Sequence, residues 1–325
     1  TRKRTLFPYT TLFRSDHLSW SRRTYLGEDQ NENGILDAGE DLDDDNELDR
    51  YILPEPPATP NMKVVAGDKT IDIYWDNRAE FSIDPISKEL DFEGYRLYRT
   101  QVGADFNLNL LGDANMIGQW DLTGNAIGFN NGLTGIALPS PVIIESDTFY
   151  YKYTVDQVLN GWQYLIVLTA FDRGDADLQI ESLESSFVEN AAHVFPGTAI
   201  QNQASQTVGV YPNPYGIQAA WDGSTQTTRK LIFYNLPASC TIQVMTISGD
   251  IVATLQHDAA TYTGADIDWF STYAGNSEDR IFSGGEHAWD ILSESNQSIT
   301  QGIYLFTVTD KQTGTTSQGR FVVVK

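Results

Sequence analysis

The chain of 325 residues is poor in cysteine, in basic residues and in long apolar runs, and each shortage excludes a class of protein. Because Cys240 is its one cysteine, the chain cannot form an internal disulfide. Its 21 lysines and arginines face 44 acidic residues, for a formal net charge of −23. Nucleic acids and anionic membranes are recognised by clustered lysine and arginine, so neither is an expected partner. No apolar run approaches the roughly 20 residues of a membrane-spanning helix, so no transmembrane segment is predicted.

Signatures of catalysis are also missing. The four histidines are scattered, without the spacing that brings zinc ligands together, and there is no nucleophile elbow, phosphate-binding loop or dinucleotide fingerprint. Asp84, Asp91 and Glu93 invite comparison with a glycosidase carboxylate pair, but acidic residues are so frequent here that chance explains the grouping. Cys240 lies in an alternating strand pattern, which predicts a core residue. We therefore predict that this chain is not an enzyme.

Residues 1–15 are excluded from the fold prediction. The stretch 5–15 reads TLFPYTTLFRS, which resembles the in-frame translation of a sequencing adapter, and residues 1–4 are assigned to the same artefact. The natural N-terminus is then expected to be missing, and the chain is expected to be the C-terminal part of a longer protein.

The most specific pattern lies in an acidic segment, residues 16–53. Residues 29–40 match the calcium-loop pattern D-x-[DN]-x-[DN]-G-x5-E. Calcium takes about six to eight oxygen ligands, and alternate side chains before a glycine turn point such oxygens inward. Ca²⁺ is therefore the predicted cofactor. The predicted ligands are the backbone carbonyl of Ile35 and the side chains of Asp29, Asn31, Asn33, Asp37 and Glu40.

The surroundings of this loop differ from those of an EF-hand sensor. The entering side is short and ends at Gly27, and the exit runs into more acid, so the loop resembles those of secreted bacterial calcium-binding proteins. A second alternating series follows, in which Ile52 stands where the closing glutamate belongs, and a second ion there stays open. This series consists of Asp41, Asp43, Asp45 and Asp49. The alternative for the whole segment is a solvated acidic turn, because acidic runs are usually exposed.

Residues 54–192 are predicted to form a proline-rich connector followed by a β-sandwich. The prolines of residues 54–60 indicate a stiff, extended linker. Beyond it, apolar residues alternate with a period of two and no segment keeps a helical period, which favours an antiparallel sandwich. Asn160-Gly161 predicts a hairpin turn between two of the strands. The predicted strands cover residues 62–65, 70–75, 94–99, 149–158, 162–171 and 183–188.

Three of these runs carry a family resemblance. KTIDIYWDN, FEGYRLYRT and WQYLIVLTAFDRGD resemble the second, third and sixth strands of a fibronectin type III domain. The resemblance covers residues 61–192 and implies a core tryptophan at Trp75 and a core tyrosine at Tyr95 or Tyr98. The segment 101–146 is longer than the loops of that family. It could form an extra hairpin, a binding surface or an edge decoration.

A second all-β domain is predicted for residues 208–325. The polar stretch 193–207 contains Pro196 and Gly197 and is interpreted as an interdomain linker. After it, Pro212 and Pro214 enforce extended backbone, and alternating runs follow that predict a second small sandwich. The predicted strands cover residues 230–234, 240–247, 251–255, 288–291, 302–309 and 319–324.

This second domain also carries a family resemblance. VYPNPY, TIQVMTISGDIVATL, WDILSESNQSITQGIYLFTV and GRFVVVK resemble the C-terminal sorting domain of type IX secretion cargo and the immunoglobulin-like domain of flagellar hook-capping proteins. The resemblance implies an immunoglobulin-like sandwich that directs export across the outer membrane, with the secretion machinery as partner. The insertion at residues 257–286 departs from the compact members of the family.

The predicted fold class is all-β: two antiparallel β-sandwich domains, fibronectin type III-like and then immunoglobulin-like, preceded by an acidic calcium-binding loop segment. The predicted function is the non-catalytic C-terminal part of a secreted or cell-surface protein that calcium stabilises and that its last domain exports and attaches. The expected location is the extracellular space or the outer cell surface. Two alternatives stay open. One is an accessory tail of a secreted hydrolase whose catalytic domain is missing, and the other is a carbohydrate-binding or adhesion module with an extracellular glycan or protein as partner.

Overall fold

The fold is all-β, as predicted. The computed structural model describes residues 22, 24–41, 46–51, 53–85, 89–100, 112, 114–174, 181–201, 206–216, 219, 221–222, 229–264, 267 and 280–324. Within these ranges the helical structure is limited to one turn near residues 24–26 and a short 3-10 helix at Arg78–Phe81. No helix in the described ranges is long and apolar enough to cross a membrane. The adapter-like residues 1–15 lie outside them.

The strands before residue 200 form a first sandwich. They make two sheets, of order β1-β2-β6-β5 and β8-β7-β3-β4. Immunoglobulin-type sandwiches place their first, second, fifth and fourth strands in one sheet and the third, sixth and seventh in the other. This chain matches that division when β4 is treated as an extra edge strand beside β3. The strands are β1 (Met62–Gly67), β2 (Thr70–Trp75), β3 (Phe92–Arg99), β4 (Asn115–Asp121), β5 (Ala137–Ile144), β6 (Asp147–Asp156), β7 (Tyr164–Asp172) and β8 (Ala191–Phe195).

The core between these sheets follows from the alternation of the sequence. On β2, Ile71, Ile73 and Trp75 are fully buried, because every second side chain of a strand faces the same side. The rings of Trp75 and Tyr95 meet edge to face with centroids 5.7 Å apart. Tyr95 therefore takes the core position, whereas Tyr98 is partly buried and packs against Phe187.

The strands after residue 208 form a second sandwich. One sheet has the order β14-β10-β9 and the other β12-β11-β15-β16, a two-sheet division of immunoglobulin type. β13 belongs to neither sheet, because it pairs with β8. Cys240 is fully buried on β11, as the alternating pattern predicted. The strands are β9 (Gly209–Tyr211), β10 (Leu231–Tyr234), β11 (Ser239–Thr246), β12 (Ile251–Asp258), β13 (Arg280–Phe282), β14 (Glu286–Trp289), β15 (Gly302–Asp310) and β16 (Thr316–Val323).

Two predicted features of the first sandwich need correction. The turn at Asn160-Gly161 does not close a hairpin, because β6 pairs with β2 and β5 whereas β7 pairs with β3 and β8, in the other sheet. The predicted strand at 183–188 is reduced to one bridge, between Glu184 and Phe171. The strand that pairs with β7 there is β8. In the insertion 101–146, the described part supplies the edge strands β4 and β5, which fits the edge decoration.

The predicted linker is part of the fold where it is described. The predicted boundary between residues 192 and 193 falls inside β8, so it is corrected to lie after Phe195. β13, from the insertion of the second sandwich, then pairs in parallel with β8 and extends a sheet of the first sandwich. The buried Lys230 donates from Nζ to the carbonyl oxygen of Gly161 at 2.6 Å. The two sandwiches therefore share a sheet and a packed junction.

Candidate metal centre

The predicted calcium loop is folded as one compact turn. The helical turn before it ends at Gly27, whose φ of +57° reverses the chain. A Cβ on Gly27 would lie 2.2 Å from the carbonyl oxygen of Asp49, so only glycine lets these segments touch. Gly34 has a φ of +73°, the left-handed backbone that the motif requires of its glycine.

Asp29, the first residue of the loop, is buried, and one of its carboxylate oxygens has no hydrogen-bond partner. The residue is 2% exposed. Its Oδ2 accepts hydrogen bonds from the backbone N–H of Gly34 at 3.0 Å and from Nη2 of Arg50 at 3.2 Å. Its Oδ1 is buried and has no hydrogen-bond partner. A buried, unpartnered carboxylate oxygen is costly in free energy, and a bound cation would remove that cost.

The other predicted side-chain ligands are joined to one another by hydrogen bonds. Glu40 is 8% exposed, and its two oxygens accept from the backbone N–H groups of Asn31 at 3.2 Å and Asp37 at 3.1 Å. The amide nitrogens of Asn31 and Asn33 each donate to Oδ2 of Asp37 at 2.7 Å. The N–H of Ile35 donates to Oδ1 of Asn33 at 2.8 Å, so the predicted residues meet in one loop.

The donor set fits calcium better than a softer metal. Among the described residues, no three Asp, Glu, His or Cys side chains come together as a metal-ligand cluster. Asp29, Asp37 and Glu40 therefore do not form such a cluster in this structure. The predicted ligand set adds two amides and a backbone carbonyl to these carboxylates, and mixed oxygen donors suit a hard cation. Rotating the amides of Asn31 and Asn33 would present oxygens in place of the nitrogens that face Asp37.

Two residues that the sequence did not single out hold the loop to the chain that follows it. Glu28 is fully buried; its N–H donates to the carbonyl oxygen of Asp49 at 2.9 Å, and its Oε2 accepts from the N–H of Asp49 at 2.8 Å. Arg50 bonds Asp29 and lies over the ring of Tyr25, 5.6 Å from its centroid. No local pattern marks either role, because both depend on residues 49–51 folding back on the loop.

The second acidic series is described only in part. Oδ2 of Asp41 accepts from the backbone N–H of Asn46 at 3.1 Å, and Asn46 has a φ of +62°. Asp29 and Gly34 are joined by the same bond at the same spacing of five residues. Asp43, Asp45 and Ile52 lie outside the described residues, so the question of a second ion stays open.

The acidic residues compared with a glycosidase pair divide between two places. Burial, with Asp172 and Asp84 nearby, raises the pKa of Asp91 to about 6. Glu93 instead accepts both of its bonds from the amide of Asn125, at 3.0 and 2.8 Å. Asp84 accepts at 3.0 Å from the N–H of Glu55 and so anchors the proline-rich connector. The hydrogen bonds of Asp84 and Glu93 indicate a structural role for these two carboxylates.

The comparisons with known proteins give little beyond this geometry. No family model matches the sequence, and no curated protein matches it. Solved structures that resemble the chain include a central fibronectin-III array of RIM-binding protein, with TM-score 0.23 and 10% identity, covering 83% of this chain and 69% of that one. They also include PorZ, a bacterial surface component of the type-IX secretion system of Porphyromonas gingivalis, with TM-score 0.25 and 13% identity, covering 82% and 39%. A third is the FN1-FN3 segment of chicken CNTN1, with TM-score 0.24 and 9% identity, covering 83% and 66%. Scores this low carry no argument about function.

Proposed function

We propose that this chain is a non-catalytic part of a secreted or cell-surface protein. In this proposal a calcium ion fixes the acidic segment that precedes two β-sandwiches, which share a sheet. In this proposal the ion is held by Asp29, Asn31, Asn33, Ile35, Asp37 and Glu40. Bound calcium would supply the positive charge that the crowded carboxylates lack. The fixed segment then sets the direction in which the connector at residues 54–60 leaves the loop.

The observation that carries the proposal is the buried, unpartnered Oδ1 of Asp29 inside a loop that matches every position of a calcium motif. A solvated acidic turn would leave this carboxylate exposed to water, but Asp29 is 2% exposed. The formal net charge of −23 agrees with a protein that works in cation-rich surroundings.

The test is calcium-dependent stability of the full chain. We expect it to unfold at a higher temperature in calcium than in chelator, with a gain of about 2.7 kcal/mol when free calcium is about 100 times the dissociation constant. Asp29→Asn and Glu40→Gln should abolish the gain. Glu32→Gln is the matched control, because Glu32 lies in the same loop at a non-ligand position and bonds Arg22. Equal melting of the unmutated chain in calcium and in chelator would refute the proposal.

The proposal assigns type IX export and surface attachment to residues 208–325. It is supported by the sequence resemblance of this region and by its immunoglobulin-like strand arrangement. The test is to follow the full chain, with an N-terminal reporter, in a bacterium with a working type IX system and in a strain lacking that system. We expect the reporter on the surface or in the medium only in the first. Equal export by both strains would overturn the assignment.

Among the described residues, the exposed aromatic pair of Tyr25 and Tyr51 does not support the alternative of a glycan-binding module. Sugar rings usually stack on the flat face of one or more aromatic side chains. The exposed rings of Tyr25 and Tyr51 pack together, but their planes are 84° apart, edge to face. The pair therefore offers no flat platform, and its contact with Arg50 ties it to the loop.

A further inference from the structure

Arg50 brings a positive charge to the carboxylate that begins the proposed ion site. Its Nη2 lies 3.2 Å from Oδ2 of Asp29, whose side chain is 3% exposed. The oxygen that Arg50 contacts is not the unpartnered one, because Oδ1 of the same carboxylate remains without a hydrogen bond. An ion at Oδ1 and the guanidinium at Oδ2 can therefore share one carboxylate.

The guanidinium is held in place by contacts that do not involve an ion. Two hydrogen bonds fix Asp49, the residue next to Arg50: the N–H of Glu28 donates to the carbonyl oxygen of Asp49, and the N–H of Asp49 donates to Oε2 of Glu28. The ring of Tyr25 lies under the guanidinium, 5.6 Å from its carbon, and cation–π contact favours that position. Arg50 is thus positioned before any ion arrives.

The charges around the loop indicate how Arg50 affects the proposed ion site. Three predicted ligands are carboxylates, those of Asp29, Asp37 and Glu40, so the predicted ligands carry a formal charge of −3 before Arg50 is counted. Among the described residues, the other arginine bonded in this loop is Arg22, which contacts Glu32, a non-ligand. A positive charge beside a ligand carboxylate offsets part of the repulsion in the ion-free loop. It also repels an arriving cation, and because the Arg50 side chain is 37% exposed, salt can screen part of that repulsion.

We propose that Arg50 is a built-in counter-charge, which keeps the ion-free loop folded and lowers its affinity for calcium. This inference rests on the proposed function, because it concerns regulation of the same site. The loop is then tuned to an environment in which calcium is abundant, where a high affinity is not needed. Removing the charge should strengthen binding and should weaken the order of the loop in chelator.

The experiment is calcium titration of the full chain by calorimetry, at about 0.1 M and about 1 M salt, where the Debye lengths are about 10 Å and 3 Å. Arg50→Gln should bind calcium about tenfold more tightly than the unmutated chain at the lower salt, which is the scale of charge–charge repulsion at a few ångström in water and applies because the Arg50 side chain is 37% exposed. At the higher salt the difference should shrink, which loss of a purely structural contact would not produce. Arg50→Lys keeps the charge and should bind within about twofold of the unmutated chain.

Arg22→Gln is the matched control, because it removes an equal charge from the same segment without touching a ligand. Its affinity should stay within about twofold of the unmutated value. In chelator, limited proteolysis should cut residues 22–50 faster in Arg50→Gln than in Arg50→Lys. If the unmutated chain binds calcium and Arg50→Gln binds it equally or more weakly, the role of Arg50 is refuted while the site stands. If neither chain binds calcium, both proposals fall.

Discussion

Substituting Gly285 by alanine tests whether the two sandwiches are joined as the structure shows. A Cβ at this position would lie 2.2 Å from the carbonyl oxygen of Ala199 and 2.4 Å from that of Thr198. Both contacts are with backbone, so no side-chain rotation relieves them. The segments must separate, and the N–H of Gly285 then loses its 3.1 Å bond to Thr198.

The expected loss can be worked from these contacts. Separation also weakens the bonds from the hydroxyl of Thr198 to the Gly285 carbonyl at 3.2 Å and from the N–H of Thr198 to Glu286 at 2.8 Å. Three hydrogen bonds at about 1 kcal/mol each, with some relaxation of the overlap, give a loss of about 2–4 kcal/mol in the free energy of unfolding. The assay is urea unfolding followed by tryptophan fluorescence and circular dichroism.

Gly135→Ala is the control for this prediction. Gly135 lies in an exposed turn, and a Cβ there would meet nothing within 4 Å. Its substitution should change the free energy of unfolding by no more than about 0.5–1 kcal/mol. The change can be a stabilisation, because alanine lowers the conformational entropy of the unfolded chain. Equal midpoints for Gly285→Ala and Gly135→Ala would show that residues 198–199 are not closely packed on Gly285, and this part of the junction would be wrong.

Two further predictions concern pH. Burial and Asp172 raise the pKa of Asp91 to about 6, so its contribution to stability is complete below its unfolded pKa and is lost as the pH rises through 6. Asp91→Asn should therefore stabilise the chain above pH 6 by about 1–2 kcal/mol after solvent screening, and an unchanged melting curve there would contradict this. Burial and His287 lower the pKa of His257 to about 4, so stability should fall as the pH drops from 6.5 towards 4. In thermal melts, His257→Asn should reduce the loss of unfolding free energy between pH 6.5 and pH 4 by about 2–3 kcal/mol. An equal loss in the variant would exclude His257 as its source.

Strand positions could be predicted because this chain buries one face of most of its strands. The alternation at β2 and β11 is visible in the sequence, and Trp75 and Cys240 are buried as it predicted. The pairing partner of each strand could not be predicted in the same way. Asn160-Gly161 signals a turn, and Gly161 does take a φ of +77°, but the turn carries the chain from one sheet to the other. A local signal cannot distinguish these outcomes.

The junction and the loop's outer contacts could not be predicted from local patterns. β13 pairs with β8 across more than 80 residues of sequence, and its three residues are too few to show a period. Lysine side chains are normally exposed to solvent, yet the ammonium group of Lys230 is buried and donates to the carbonyl oxygen of Gly161. In the loop, the metal ligands stay a prediction from the motif, whereas the contact of Arg50 with Asp29, 21 positions away, has no local signal in the sequence.

The most direct test of the account is a crystal structure of the full chain soaked with calcium. The account predicts one ion bonded to Oδ1 of Asp29, with Glu40 among its other ligands and oxygen distances of about 2.3–2.6 Å. The amides of Asn31 and Asn33 should turn their oxygens towards it. Oδ1 of Asp29 still without a cation in crystals soaked at millimolar calcium would contradict the account.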